Sequence, residues 1–174
     1  MANVYSDKGE LDKALEYYHK ALSIRLNILG EKHPDVAQYY NNMAIAYRMK
    51  CKLDKALEYH NKSLSIKLNT LGENHPDVAG SYNNMANVCS DKGELDKALE
   101  YYNKSPTINL KILGENHREV ASIYNNMGVV YKEKYELDKA IDLYNRSLGI
   151  NLNTLGENHV VEGMCYTIWA RFMP

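Results

Sequence analysis

Four histidines, His33, His75, His117 and His159, recur every 42 residues, and imidazole serves both as a metal ligand and as an acid–base group. The spacing argues against a shared metal. Packed helices lie about 8–10 Å apart, so equivalent atoms one repeat along stand roughly 10–20 Å from one another. A zinc–nitrogen bond is only about 2 Å. Each histidine precedes a predicted helix start, and a local hydrogen bond in the turn is its expected role. The Asp-Lys pairs of Leu-Asp-Lys-Ala, beginning at 11, 53, 95 and 137, read as early-helix charges, with the aspartate favourable to the helix dipole. No Gly-rich phosphate loop, H-E-x-x-H pair or nucleophile elbow occurs. These residues predict no enzyme activity, no metal and no cofactor.

The elements that would position such residues follow from the repeat. Leu-Gly-Glu-Lys-His-Pro-Asp-Val-Ala at 29–37 returns at 71–79 and 113–121 with few changes, and in decayed form from Leu155 to Gly163. A fixed period of this length predicts stacked supersecondary units, a solenoid that presents an extended surface. Within residues 34–72, Pro34 suits a first helical position and Asp35 the first turn. Val36, Tyr40, Met43, Ala44 and Tyr47 then recur at helical spacing. Met49-Lys50-Cys51-Lys52 makes a turn, which carries Gly9 and Gly93 in two sister repeats. A second helix follows with Leu53, Ala56, Leu57, Leu64 and Leu68 on its apolar stripe. Gly72 ends it, placed for the left-handed conformation that follows many helices.

Thirteen of the fifteen tyrosines fall on four repeat positions, 40/82/124/166, 5/47/131, 17/59/101 and 18/102/144. One set per repeat means packing between helices, whereas a cofactor or base-stacking site would gather them in one place. Small residues recur as Ala44, Ala86, Gly128 and Ala170, and as Ala14, Ala56, Ala98 and Ala140, where paired helices must approach closely. The fold class is all-α, an α-solenoid of antiparallel helical hairpins.

Composition agrees with an ordinary globular chain, at 45% hydrophobic and 25% charged residues. Lys and Arg number 21 against 22 Asp and Glu, so nothing draws the chain to nucleic acid or to an anionic membrane. The N-terminus has no apolar h-region and no run approaches the roughly 18 apolar residues of a membrane span. Cys51, Cys89 and Cys165 occupy three different repeat positions, which fits a reducing compartment better than a disulfide framework. Cys89 takes a slot held elsewhere by Tyr5, Tyr47 and Tyr131, as a small core residue.

Tyr40-x-x-Met43-Ala44-x-x-Tyr47, followed by Ala56, His60 and Ser63, resembles the tetratricopeptide repeat. The 42-residue length and the Leu-Gly-Glu-x-His-Pro-Asp-Val-Ala connector resemble the repeats of kinesin light chain and of nephrocystin-3-like proteins. The resemblance covers essentially the whole chain. It implies a right-handed superhelix in which the first helices line a concave, peptide-binding groove, and a cytoplasmic adaptor. The groove positions it implies are Asn41, Asn42, Ile45 and Arg48; Asn83, Asn84, Asn87 and Ser90; and Asn125, Asn126, Val129 and Lys132. Side-chain amides carry both donor and acceptor, so a ladder of them can grip an extended main chain whatever its sequence. The same asparagines could instead bond neighbouring helices. Resemblance also assigns Arg48 to acidic cargo residues. Where the family places further basic residues this chain has Asn109 and Ser122, although Arg25 and Lys67 carry charge at equivalent second-helix sites. The expected groove is mixed and near neutral, and an acidic, tryptophan-containing cargo motif is not favoured over other extended peptides.

The expected organisation is a single solenoid over 1–174, with complete hairpins at 34–72, 76–114 and 118–156 and partial repeats at 1–30 and 160–174. The half-hairpin ends suggest a fragment of a longer array or a shortened gene product, and the alternative to an adaptor is a structural spacer or a segment that self-associates through an open N-terminal face. Trp169 and Phe172 are expected to form a partial lid at the other end. Pro106, where sister repeats have Leu22, Leu64 and Leu148, is expected to interrupt a second helix, at a cost of about 3 kcal/mol.

Overall fold

The structure, a computed structural model, describes residues 1–155 apart from the side chains at 106, 107, 111, 113 and 155. Among the described residues eight helices follow one another: α1 (Ala2–Asp7), α2 (Leu11–Leu29), α3 (Pro34–Met49), α4 (Leu53–Leu71), α5 (Pro76–Asp91), α6 (Leu95–Leu113), α7 (Arg118–Glu133) and α8 (Leu137–Leu155). His159, Cys165, Trp169, Phe172 and the partial repeat at 160–174 lie outside the described residues. The chain forms two compact units, Met1–Tyr101 and a second from Tyr102 onward.

Local chemistry sets each helix boundary. His33 caps α3 by accepting the Asp35 amide on Nδ1 at 3.1 Å, and His75 does the same for Asp77 at 3.1 Å. In the second unit His117 accepts from Glu119 at 3.3 Å. One amide left unpaired at each helix start is thereby satisfied. The three histidines are caps, bonded locally as the spacing predicts.

The turn inside each hairpin is a Schellman motif. After α3, the Cys51 amide donates to Arg48 O at 2.8 Å and the Lys52 amide to Tyr47 O at 2.9 Å. The residue at the bend has positive φ in every repeat: Gly9 at 76°, Cys51 at 55°, Gly93 at 75° and Tyr135 at 60°. Glycine suits that region and the two larger residues do not.

The other end of the hairpin differs from the expectation. Gly72 has φ 80° and ψ 166°, and Gly30 φ 80° and ψ 168°. That is the extended positive-φ region, which glycine almost alone occupies. The chain straightens out of the helix there to reach the next histidine cap.

Nor does Pro106 interrupt its helix. α6 runs Leu95–Leu113, the same 19 residues as its sisters. Proline withholds one amide from the ladder, but Leu99, Tyr102, Ser105, Ile108 and Asn109 are all buried along this helix. Tertiary packing overrides the propensity of one residue.

In the first unit Ala14, Leu15, Tyr18, Leu22, Val36, Ala37, Met43, Ala46, Tyr47, Ala56, Ile66 and Val88 form one buried cluster. Burying each larger aliphatic side chain contributes roughly 1.5–3 kcal/mol. Ala44 and Ala56 are wholly buried, so the paired backbones come close. Ser63 Oγ crosses from α4 to Ala37 O at 2.8 Å. The second unit repeats that bond from Ser147 to Ala121 O at 2.8 Å, beside Val120 and Ile150. Charge adds ties between successive hairpins: Lys50 pairs with Asp12, and Lys92 with Asp54 at 2.7 Å. The aspartates of Leu-Asp-Lys-Ala therefore do more than face a helix dipole.

Candidate peptide-binding groove

Helices α3 and α5 carry the asparagine doublets of the first unit. Asn41, Asn42, Asn83, Asn84 and Asn87 are half-buried, each set one or two positions ahead of, or two after, the buried Met43 and Met85. Asn41 and Asn84 bond each other, with Asn84 Nδ2 donating to Asn41 Oδ1 at 3.2 Å. Asn42 Oδ1 accepts from Gln38 Nε2 at 3.0 Å. Asn83 Oδ1 is buried with no hydrogen-bond partner. Both roles open to the asparagines are thus on display, because Asn41 and Asn84 bridge two helices while Asn42 faces open space. That space is a cleft of about 440 Å³ at α1, α2 and α3, whose lining includes Asn3, Tyr18, Arg25, Asp35, Gln38 and Asn42.

The basic residues behave differently from one another. Arg48 closes on Asp91 of α5, Nε to Oδ2 at 2.5 Å and Nη2 to Oδ1 at 3.3 Å. This bidentate geometry is the strongest form of the pair. Arg25 lies 3.7 Å from Asp35. Lys67 is half-buried on α4 and donates to Ser81 Oγ at 3.0 Å and to Asp77 O at 3.3 Å. Burial lowers its pKa, with the Asp77 charge partly opposing.

Below them sits His60, 1% exposed, with Nδ1 lacking a partner. Burial first, then the charges of Lys67 and Arg48, bring its pKa down to about 4, so this imidazole is neutral near pH 7. The equivalent Tyr18 reaches Asn3 Oδ1 at 2.6 Å; Ile45 stands at the Asn3 position here, so His60 has nothing to bond.

In the second unit Asn125 and Asn126 are half-buried on α7 and Lys132 is exposed. Asn109 is buried on α6 with Oδ1 unbonded. The residues that sequence reasoning missed are Asp91, Ser81 and Gln38. Asp91 belongs to a column reading Asp7, Met49, Asp91 and Glu133, where an acid recurs, and that column was the available signal. Among the described residues no three His, Cys, Asp or Glu side chains gather to hold a metal. No helix there is long and apolar enough to cross a membrane.

Comparison with known proteins agrees with this architecture. The chain is similar to BtubC (BKLC) from P. vanneervenii, at TM-score 0.80 and 29% identity over 90% of this chain and 61% of that one. It is similar in fold to a Podosopora anserina putative kinesin light chain of nearly identical TPR-like repeats, at TM-score 0.76 and 22% identity over 88% of this chain and 73% of that one. The chain therefore spans about three fifths of the length of the first and about three quarters of the second. No curated protein matches it. The tetratricopeptide repeat profile matches residues 1–69, 51–111 and 77–153. With the repeat, the helical hairpins and the relatives in agreement, the chain belongs to the tetratricopeptide repeat family.

Proposed function

We propose that this protein is a non-enzymatic cytoplasmic adaptor, which binds an extended segment of a partner protein along the asparagine-bearing faces of its first helices. Tetratricopeptide repeats are protein–protein interaction scaffolds in general. One observation carries the finer reading. Asn42 keeps its amide NH2 unbonded and Asn84 its amide oxygen, so successive repeats offer a donor and an acceptor to a passing main chain. Asn87 lies one turn beyond Asn84, and Asn125, Asn126 and Lys132 hold the matching positions in the second unit. The putative kinesin light chain name of one similar structure makes cargo recognition the natural form of this role.

The test is cross-linking capture from cytosolic extract, wild type against Asn42→Ala/Asn84→Ala, read by mass spectrometry. Loss of specific partners only in the variant supports the groove. Equal recovery by both proteins rules it out.

A second reading, self-association, rests on Ile24, which is 59% exposed while its equivalents Ile66, Ile108 and Ile150 are each at 8%. Sedimentation over micromolar concentrations tests it, and a strict monomer sinks it.

A further inference from the structure

Inside the first unit the joint between α2 and α3 has a fixed make-up. Leu15 of α2 lies in one buried cluster with Met43 and Ala46 of α3. At its edge Lys50, in the bend after α3, pairs with Asp12 in the first turn of α2. The next joint repeats the pair, with Lys92 on Asp54 at 2.7 Å. Each joint therefore has two halves. One is a leucine pair flanking an aspartate at the start of a second helix; the other is an apolar stripe with a lysine at the end of a first helix.

Among the described residues each half also occurs alone. α8 carries the first as Leu137, Asp138 and Ile141, at the positions of Leu11, Asp12 and Leu15. Ile141 is 49% exposed where Leu15 is buried, and Leu137 is exposed beside it. α1 and its flanks carry the second as Met1, Val4 and Lys8, at the positions of Met43, Ala46 and Lys50. Val4 is 54% exposed where Ala46 and Val88 are wholly buried. The spacing i, i+3, i+7 sets these three on one helix face. Lys8 and Asp138 are both exposed, and among the described residues neither has an ion-pair partner.

We propose that the two half-joints fit each other between copies of the chain, so that α8 of one protomer receives α1 of the next and Lys8 meets Asp138. The partner is a second copy because the two surfaces match in kind: apolar against apolar at the positions that internal joints bury, and opposite charges at the edge. Burial of Met1, Val4, Leu137 and Ile141 drives the contact. An exposed ion pair adds little affinity, but like charges at the same point reject a wrong register. The two surfaces differ, so the contact is heterologous and extends copy by copy as an open chain. This inference rests on the self-association reading above and is independent of the groove.

The test is sedimentation velocity of the full chain from low to high micromolar concentration. Wild-type mass should climb with concentration past the dimer. Lys8→Glu alone and Asp138→Lys alone each set like charges at the joint and should weaken association at least about tenfold. An equimolar mixture of the two variants restores it, and so does the double variant Lys8→Glu/Asp138→Lys, because opposite charges then meet again. That recovery also shows that the variants fold. No loss in either single variant, or loss without recovery in both the mixture and the double variant, overturns the joint and leaves self-association standing. Mass that stops at a dimer overturns the head-to-tail order. A strict wild-type monomer, the outcome if the chain's own residues beyond 155 cover α8, overturns this inference and the self-association reading together.

Discussion

Gly128 of α7 lies so near the ring of Tyr144 on α8 that a β-carbon there would sit 2.6 Å from Tyr144 Cε1. The sister repeats place Ala44 and Ala86 at this point. Val129 follows Gly128 where the first repeat has Asn3, so the Tyr144 hydroxyl lacks the bond that Tyr18 makes there, and its ring rests on the neighbouring backbone. Gly128→Ala forces the ring to move, an overpacking that costs typically 1–3 kcal/mol, offset by about 1 kcal/mol of helix propensity. The expected net loss is about 1 kcal/mol. In a Tyr144→Ala background the same change becomes stabilising by about 1 kcal/mol. Urea unfolding of the four proteins tests this, and additive effects would refute it.

His60 makes stability depend on pH. In the unfolded chain a histidine takes its proton near pH 6.5, whereas the buried ring does so only at about 4. Above pH 6.5 both states are neutral and the group has no effect. As pH falls from 6.5 toward 4 the unfolded state binds more protons, so stability is lost, by about 3 kcal/mol in total. Below that the loss levels off. His60→Tyr, with Ile45→Asn to receive its hydroxyl as Asn3 receives that of Tyr18, removes this component. Unfolding free energies of variant and wild type between about pH 4.5 and 7.5 should diverge toward the acid end. A constant difference would show that the ring is not held neutral.

Cys51 and Tyr135 sit at bends where two sisters have glycine. A non-glycine residue at positive φ costs about 1–2 kcal/mol, and glycine's extra unfolded-state entropy returns roughly half of that. Cys51→Gly and Tyr135→Gly should each stabilise by about 0.5–1 kcal/mol. Tyr135 is 89% exposed, so its ring leaves no void. Thermal and urea midpoints should both rise; a fall for Tyr135→Gly would mean that the bend stores no strain.

Capping by histidine is likewise open to trial. His75→Ala leaves the Asp77 amide unsatisfied and should cost about 1 kcal/mol. His75→Asn restores an acceptor and should recover most of it. Equal destabilisation by both changes would exclude the cap as the cause.

Much of this was legible because a 42-residue period repeats every physical requirement. The helical spacing of Val36, Tyr40, Met43 and Tyr47, and the small residues at Ala44 and Ala56, specify helix pairs without reference to tertiary structure. The caps at His33, His75 and His117 were readable from distance alone. What stayed hidden was where long side chains end. Arg48 looks like a groove cation by position, but its reach to Asp91 depends on the stagger of α3 against α5, and the column that holds Asp91 also holds Met49. Pro106 was misjudged for a related reason, since the packing of Leu99, Tyr102 and Ile108 along the same helix outweighs one missing amide. Gly72 was read as positive in φ, which holds, but its ψ is set by the path to the next cap.

The ties from Asp12 to Lys50 and from Asp54 to Lys92 each span 38 residues, four short of the period. If a block of one full period were cut out and the ends rejoined, an aspartate would meet the corresponding lysine from the next block, and a histidine would still stand two residues before the amide it caps. The chain can therefore shorten or lengthen only in whole quanta, and within that rule an edited gene loses surface but no joint.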